Sequence, residues 1–137
     1  MWWTYALLSA FFAALTTIFA KIGMKHVNSD LATAIRTVVI LLLAWAIVFT
    51  RQEHKAILSL SKNTWIFLIL SGLATGLSWI FYFKALQLGK VAQVAPLDKL
   101  SVAIAIVLAF FFLQESITWQ MGLGAGLIIL GTIVLLF

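Results

Sequence analysis

Five apolar runs of membrane-spanning length, separated by short polar breaks, constrain this chain more than any other feature. They cover about Trp3–Gly23, Leu31–Thr50, Thr64–Leu86, Val91–Leu113 and Thr118–Phe137. A helix needs about 20 predominantly apolar residues to cross the roughly 30 Å hydrocarbon core of a bilayer. Backbone N–H and C=O groups find no partner in hydrocarbon, so each run is predicted to satisfy its own groups as an α-helix. Composition agrees: 9% of the 137 residues are charged, against about 25% in soluble domains. The chain therefore reads as all-α, a polytopic membrane protein of five transmembrane helices in one domain over 1–137, with no soluble domain left over. The first run lacks a basic leader and is too long for the roughly 7–15-residue core of a signal peptide, so it is expected to be a retained span.

Several function classes fall away at this point. There is no cysteine, so disulfide and thiol chemistry are not expected. The net charge of +5 is spread over short loops beside the spans, a topology signal and not a nucleic-acid footprint. His26 and His54 sit in different loops without further ligands at metal spacing, and His54 is expected to be solvated. No nucleophile–base pair, metal cluster or phosphate loop is visible, so neither an enzyme nor a cofactor is expected.

The fourth span carries the strongest chemical anomaly. Its uninterrupted apolar part, Leu100–Leu113, is 14 residues, or roughly 21 Å of helix, too short to cross. To span, the helix must begin near Val91, which places Asp98 and Lys99 about two turns inside. Charges at such depth are rare and usually face protein or a water-filled cavity. A helix starting at Pro96 would instead put Asp98 in a favoured first-turn position and let Lys99 snorkel outward. The length argument favours the first arrangement. Arg36, about one turn inside the second span, either snorkels to a headgroup or faces the bundle, where it pairs or meets a solute. Glu115, at the end of the fourth span, is read mainly as a solvated or inter-loop group.

Polar and small residues form stripes on other spans. Ser9, Ala13, Thr16 and Ala20 fall on one narrow arc of the first. Ser71, Thr75, Ser78 and Tyr82 repeat that spacing on the third, with Trp79 at the flank and Lys84 near the end. Hydroxyls at this spacing bond carbonyls or neighbouring helices, or line a polar cavity. Gly122 and Gly126 make a close-approach motif on the fifth span, for packing or dimerisation. An odd number of spans puts the termini on opposite sides. Arg51, Lys55 and Lys62 then oppose Lys21, Lys25 and Lys90, with Lys84 borderline, so loop charge hardly selects an orientation.

The stretches Trp79–Ala92, Pro96–Ser101, Phe112–Ser116 and Gly122–Gly131 resemble, in order and spacing, the EamA domain of the drug/metabolite transporter superfamily. Phe19-Ala20-Lys21 and the position of Arg36 also fit. The likeness covers essentially the whole chain and is closest to the short branch with a single five-helix domain. Many family members carry a proline near Leu100–Val102, which this chain lacks. Most members hold two such domains in tandem with inverted topology, so the resemblance implies that a lone domain pairs with a second copy, antiparallel, in a prokaryotic cytoplasmic membrane. It further implies a secondary transporter, exporting a small organic metabolite or drug-like molecule. The cavity would be lined by Ser71, Thr75, Ser78, Trp79, Tyr82, Lys84, Asp98 and Lys99, with Arg36 and Glu115 as charge partners. Flipping of a lipid-linked substrate, or a non-transporting role in a larger complex, are the competing readings.

Overall fold

A computed structural model describes residues 1–137. The spans are α1 (Trp2–Gly23), α2 (Ser29–Thr50), α3 (Lys62–Leu88), a fourth divided into α4 (Val91–Asp98) and α5 (Leu100–Leu113), and α6 (Trp119–Leu136). There are no strands. All five spans are long and apolar enough to cross a membrane.

Local chemistry explains where the helices begin and stop. The Asn28 side chain accepts hydrogen bonds from the backbone N–H groups of Asp30 at 2.8 Å and Leu31 at 3.5 Å, so α2 begins at Ser29. Side-chain capping of this kind satisfies N–H groups that have no helical partner. Thr118 does the same for Met121 at 3.4 Å and starts α6. Gln52 and Gln114 adopt left-handed backbone conformations, with φ of 59° and 55°, just past the ends of α2 and α5. The turn at Gln52 leads into a 3₁₀ helix over Glu53–Ser59, where the sequence reading has only a loop. His54 is accordingly half-buried and not fully solvated: its ring lies 5.2 Å from that of Phe49, and Nδ1 is enclosed without a partner. The reversal at Gln52 folds the segment back towards the helix it has just left.

The fourth span starts at Val91, as its length requires, but it is not one continuous helix. Pro96 has no N–H to give the Ala92 carbonyl, and its ring crowds that carbonyl, so a proline in a helix interior kinks or breaks it. The break falls at Lys99. There the Lys99 N–H donates to Pro96 O and the Val102 N–H to Lys99 O, both at 3.0 Å and both at the tighter three-residue spacing.

The chain forms two compact units, Phe19–Gln87 and Met1–Ile18 with Leu88–Phe137. In the first, Ala20 and Met24 of the α1 end, Ser29 and Thr33 of α2, and Phe83 and Leu86 of α3 are buried. Lys21 Nζ donates to Leu86 O, and Gln87 Nε2 donates to Val27 O at 2.7 Å and Met24 O at 3.2 Å. These side chains satisfy backbone carbonyls left open where helices end. In the second unit α4 and α5 both pack on α6. Thr132 of α6 is 3% exposed. Its hydroxyl lies 3.1 Å from Pro96 O and 2.8 Å from Ile128 O, one proton serving both acceptors.

Elsewhere the helices expose apolar side chains freely, including Phe11, Leu42, Phe67 and Phe111. A protein in water rarely leaves contiguous patches of this kind uncovered. A bilayer covers them, and the molecule is an integral membrane protein.

Candidate functional site

The residues predicted to line a cavity are distributed over both units. In Phe19–Gln87, Ser71, Thr75, Ser78 and Lys84 are exposed along α3, while Trp79 and Tyr82 are half-buried. Thr75 Oγ1 donates to Ser71 O at 2.9 Å, so the hydroxyl is satisfied on its own helix. The Tyr82 ring meets the Phe83 ring edge-on at 5.4 Å.

In the other unit, Asp98 and Lys99 sit at the junction of α4 and α5. Lys99 Nζ lies 3.4 Å from Asp98 Oδ2, with the lysine 58% and the aspartate 34% exposed. Adjacent residues on a continuous helix point about 100° apart. The Lys99 side chain closes on its neighbour at the place where the helix is interrupted. Two devices hold that interruption to α6: the Thr132 hydroxyl on Pro96 O, and Gln93 Nε2, which donates to Leu136 O at 3.4 Å. The geometry presents a carboxylate and an ammonium, already paired, on a backbone interrupted between α4 and α5.

Arg36 is held differently. Its guanidinium carbon lies 4.0 Å from the centroid of the Phe83 ring, and Phe83 is 2% exposed. Stacking of a guanidinium on an aromatic face is favourable, more so when the pair is desolvated. Nη1 is buried without a hydrogen-bond partner, and the side chain forms no ion pair. Glu115 is exposed past the end of α5 and also forms no ion pair.

The glycines of α6 are open. A Cβ added at Gly122 or Gly126 would meet nothing within 4 Å, so the close-approach motif is not used inside the chain. The hydrogen bonds from α6 to α4 run instead through Thr132 and Leu136, which sequence reasoning passed over. A hydroxyl in an otherwise glycine-rich apolar span was the available signal for Thr132. Phe83 was masked by its aromatic neighbours. A further groove of about 450 Å³ lies between α2 and the 3₁₀ helix, lined by Leu41, Trp45, Val48, Glu53 and Ile57 among others. None of the predicted site residues lines it.

Five spans, one broken partway across with charges at the break, define a polytopic helical membrane protein. Residues 1–137 match the EamA-like transporter family, and the chain belongs to that family. It is a membrane transporter, acting on a small-molecule substrate across a lipid bilayer. It is 49% identical to an uncharacterized transporter in the cobO 3′ region of a Sinorhizobium species, over 98% of this chain and 95% of the relative. It is 30% identical to an uncharacterized protein of Methanocaldococcus jannaschii, over 94% of this chain and 91% of that protein. No solved structure matches the chain.

Proposed function

We propose that this transporter is a secondary exporter of a small organic metabolite or drug-like molecule and works as an antiparallel homodimer in a prokaryotic cytoplasmic membrane. The observation that carries the reading is the break at Lys99, which leaves the Asp98–Lys99 pair about 10 Å in from the start of the span at Val91. Secondary transporters place substrate and coupling sites near the midplane at discontinuous helices, and alternate access by moving one inverted repeat against another. A five-span chain is one repeat, and a second copy inserted the other way round supplies the inverse. Near-balanced loop charge permits both insertions. The open strip at Gly122 and Gly126 is free to meet another molecule. In this reading Asp98 and Lys99 act as a gate that solute opens, while Ser71, Thr75, Ser78, Trp79, Tyr82 and Lys84 offer hydroxyls, an aromatic surface and charge to the solute.

Two experiments test it. Purified protein alone in liposomes should move a water-soluble solute; lipid movement only, or inactivity of well-folded protein, overturns transport of this kind. The native chain has no cysteine, so His26→Cys and Ser59→Cys variants can be labelled without background. In intact cells each position should label from outside in part of the population. Labelling of one position only sinks the antiparallel arrangement and leaves transport standing.

A further inference from the structure

Arg36 is the one charged side chain in this structure seated on a buried aromatic face. The side chain is half-buried and does not extend freely outward as a fully snorkelling arginine does. The guanidinium instead packs at 4.0 Å on a ring that is itself almost wholly buried, and Nη1 is enclosed with no acceptor. A buried donor left unsatisfied is costly, more so when charged, and native proteins rarely leave one without a reason.

The surroundings contain no anion to serve as that reason. Nearby donors in the same unit are already committed: Lys21 Nζ to Leu86 O, and Gln87 Nε2 to Met24 O and Val27 O. Of the two carboxylates in this unit, Asp30 is exposed in the first turn of α2, and Glu53 lies in the 3₁₀ segment beyond the other end of that helix. Neither forms an ion pair. Stacking uses only the face of the guanidinium. Its edge keeps the planar fork of N–H donors that matches a carboxylate or phosphate with two parallel hydrogen bonds.

We infer that Arg36, seated on Phe83, is a binding site for an oxyanion, a carboxylate or phosphate group carried by a solute or by a lipid headgroup. Its assignment to the transported solute rests on the transporter reading above; the anion site itself does not. Phe83 orients the guanidinium and shields one face from water, and the incoming oxyanion pairs with the edge of this half-buried side chain. The substrate class this selects is the organic anion.

The test uses the full chain in dodecyl maltoside, a detergent that carries no oxyanion, titrated with benzoate, phenyl phosphate, benzyl alcohol and benzylammonium. Benzoate and phenyl phosphate should bind and raise the unfolding temperature, with the alcohol and the cation at least about tenfold weaker, as the loss of a charge-assisted hydrogen bond implies. Arg36→Gln should lose anion binding by a similar factor. Arg36→Lys, which keeps the charge and guards against a folding defect in the glutamine variant, should retain part of it; Lys55→Gln, in the exposed 3₁₀ segment, should bind as the native chain does. If the soluble anions fail but added phosphatidylglycerol stabilises the native chain and not Arg36→Gln, the oxyanion is a headgroup. Equal response to anion, alcohol and cation, or anion binding that survives Arg36→Gln, overturns the site. Liposome assays separate the two readings. Arg36-dependent binding without transport removes the transporter mechanism and keeps the site. Transport of a cation or neutral solute unaffected by Arg36→Gln does the reverse.

Discussion

Arg36 and Asp98 each lie seven positions past the start of their span, at Ser29 and Val91, so helical rise alone puts both about 10 Å in. The two regions solve the same problem in opposite ways. Around Asp98 the backbone gives way: Pro96 interrupts the helix, the chain tightens at Lys99, and the carboxylate meets a counter-ion one residue on while staying a third exposed. Around Arg36 the helix is continuous and the packing gives way instead, with an aromatic ring standing in for a counter-ion. The first arrangement is electrically closed on an interrupted helix. The second is electrically open on a continuous one. A charge whose partner is built in is suited to a gate, and one whose partner is missing is suited to recognition.

The largest expected effect comes from breaking the first arrangement. Asp98→Asn keeps size and hydrogen bonding but removes the charge facing Lys99, and solute transport in liposomes should fall to background while the protein elutes and melts as folded. Full activity in that variant would take Asp98 out of the mechanism. Next in size is Pro96→Ala. Proline costs about 3 kcal/mol relative to alanine in a helix interior. Returning an N–H to the Ala92 carbonyl should raise the thermal midpoint and slow transport together. A variant that gains stability and transports at the native rate would show that the joint at Lys99 does not move.

The break also marks the limit of what the sequence discloses. Span number and the start near Val91 follow from run length, because the membrane imposes a fixed thickness on any helix that crosses it. Pro96 is visible as a breaker. The interruption lands at Lys99, three residues on, beside a contact no local pattern shows: Thr132, far along the chain, reaches the Pro96 carbonyl only after α6 has packed. The seat of Arg36 was hidden for the same reason, since Phe83 belongs to another helix and stands among look-alike aromatics. His54 was misjudged because its burial depends on the left-handed turn at Gln52, a conformation that glutamine seldom takes and no motif announced. The dimerisation glycines were legible as a motif, but whether they meet this chain or another was not, and within the chain they meet nothing.

Thr132→Val should cost about 1 kcal/mol, the usual net worth of one buried hydrogen bond. The Pro96 carbonyl keeps the Lys99 N–H at 3.0 Å, so the loss is partial. The check is the unfolding midpoint in detergent, with Gln93→Leu alongside. If the hydroxyl and the amide together pin the break to α6, the double variant should lose more than either alone. Strict additivity to no change would mean that α6 holds the break by apolar packing only.

Thr75→Val tests the comparison at its quiet end. Thr75 and Thr132 both return a hydrogen bond to the carbonyl four residues earlier, at 2.9 Å and 2.8 Å, but only Thr132 adds a contact to another helix. An exposed hydroxyl already satisfied by its own helix contributes little to folding. Substitution by the isosteric valine should therefore shift stability by less than about 0.5 kcal/mol, as surface changes usually do. Transport is the discriminating readout. Where the α3 stripe touches solute, the valine variant should transport more slowly despite an unchanged melting curve, because the hydroxyl oxygen still has a lone pair to offer and the methyl group does not. Unchanged stability with unchanged transport would make the stripe a means by which one helix satisfies itself, and would leave solute recognition to the charges.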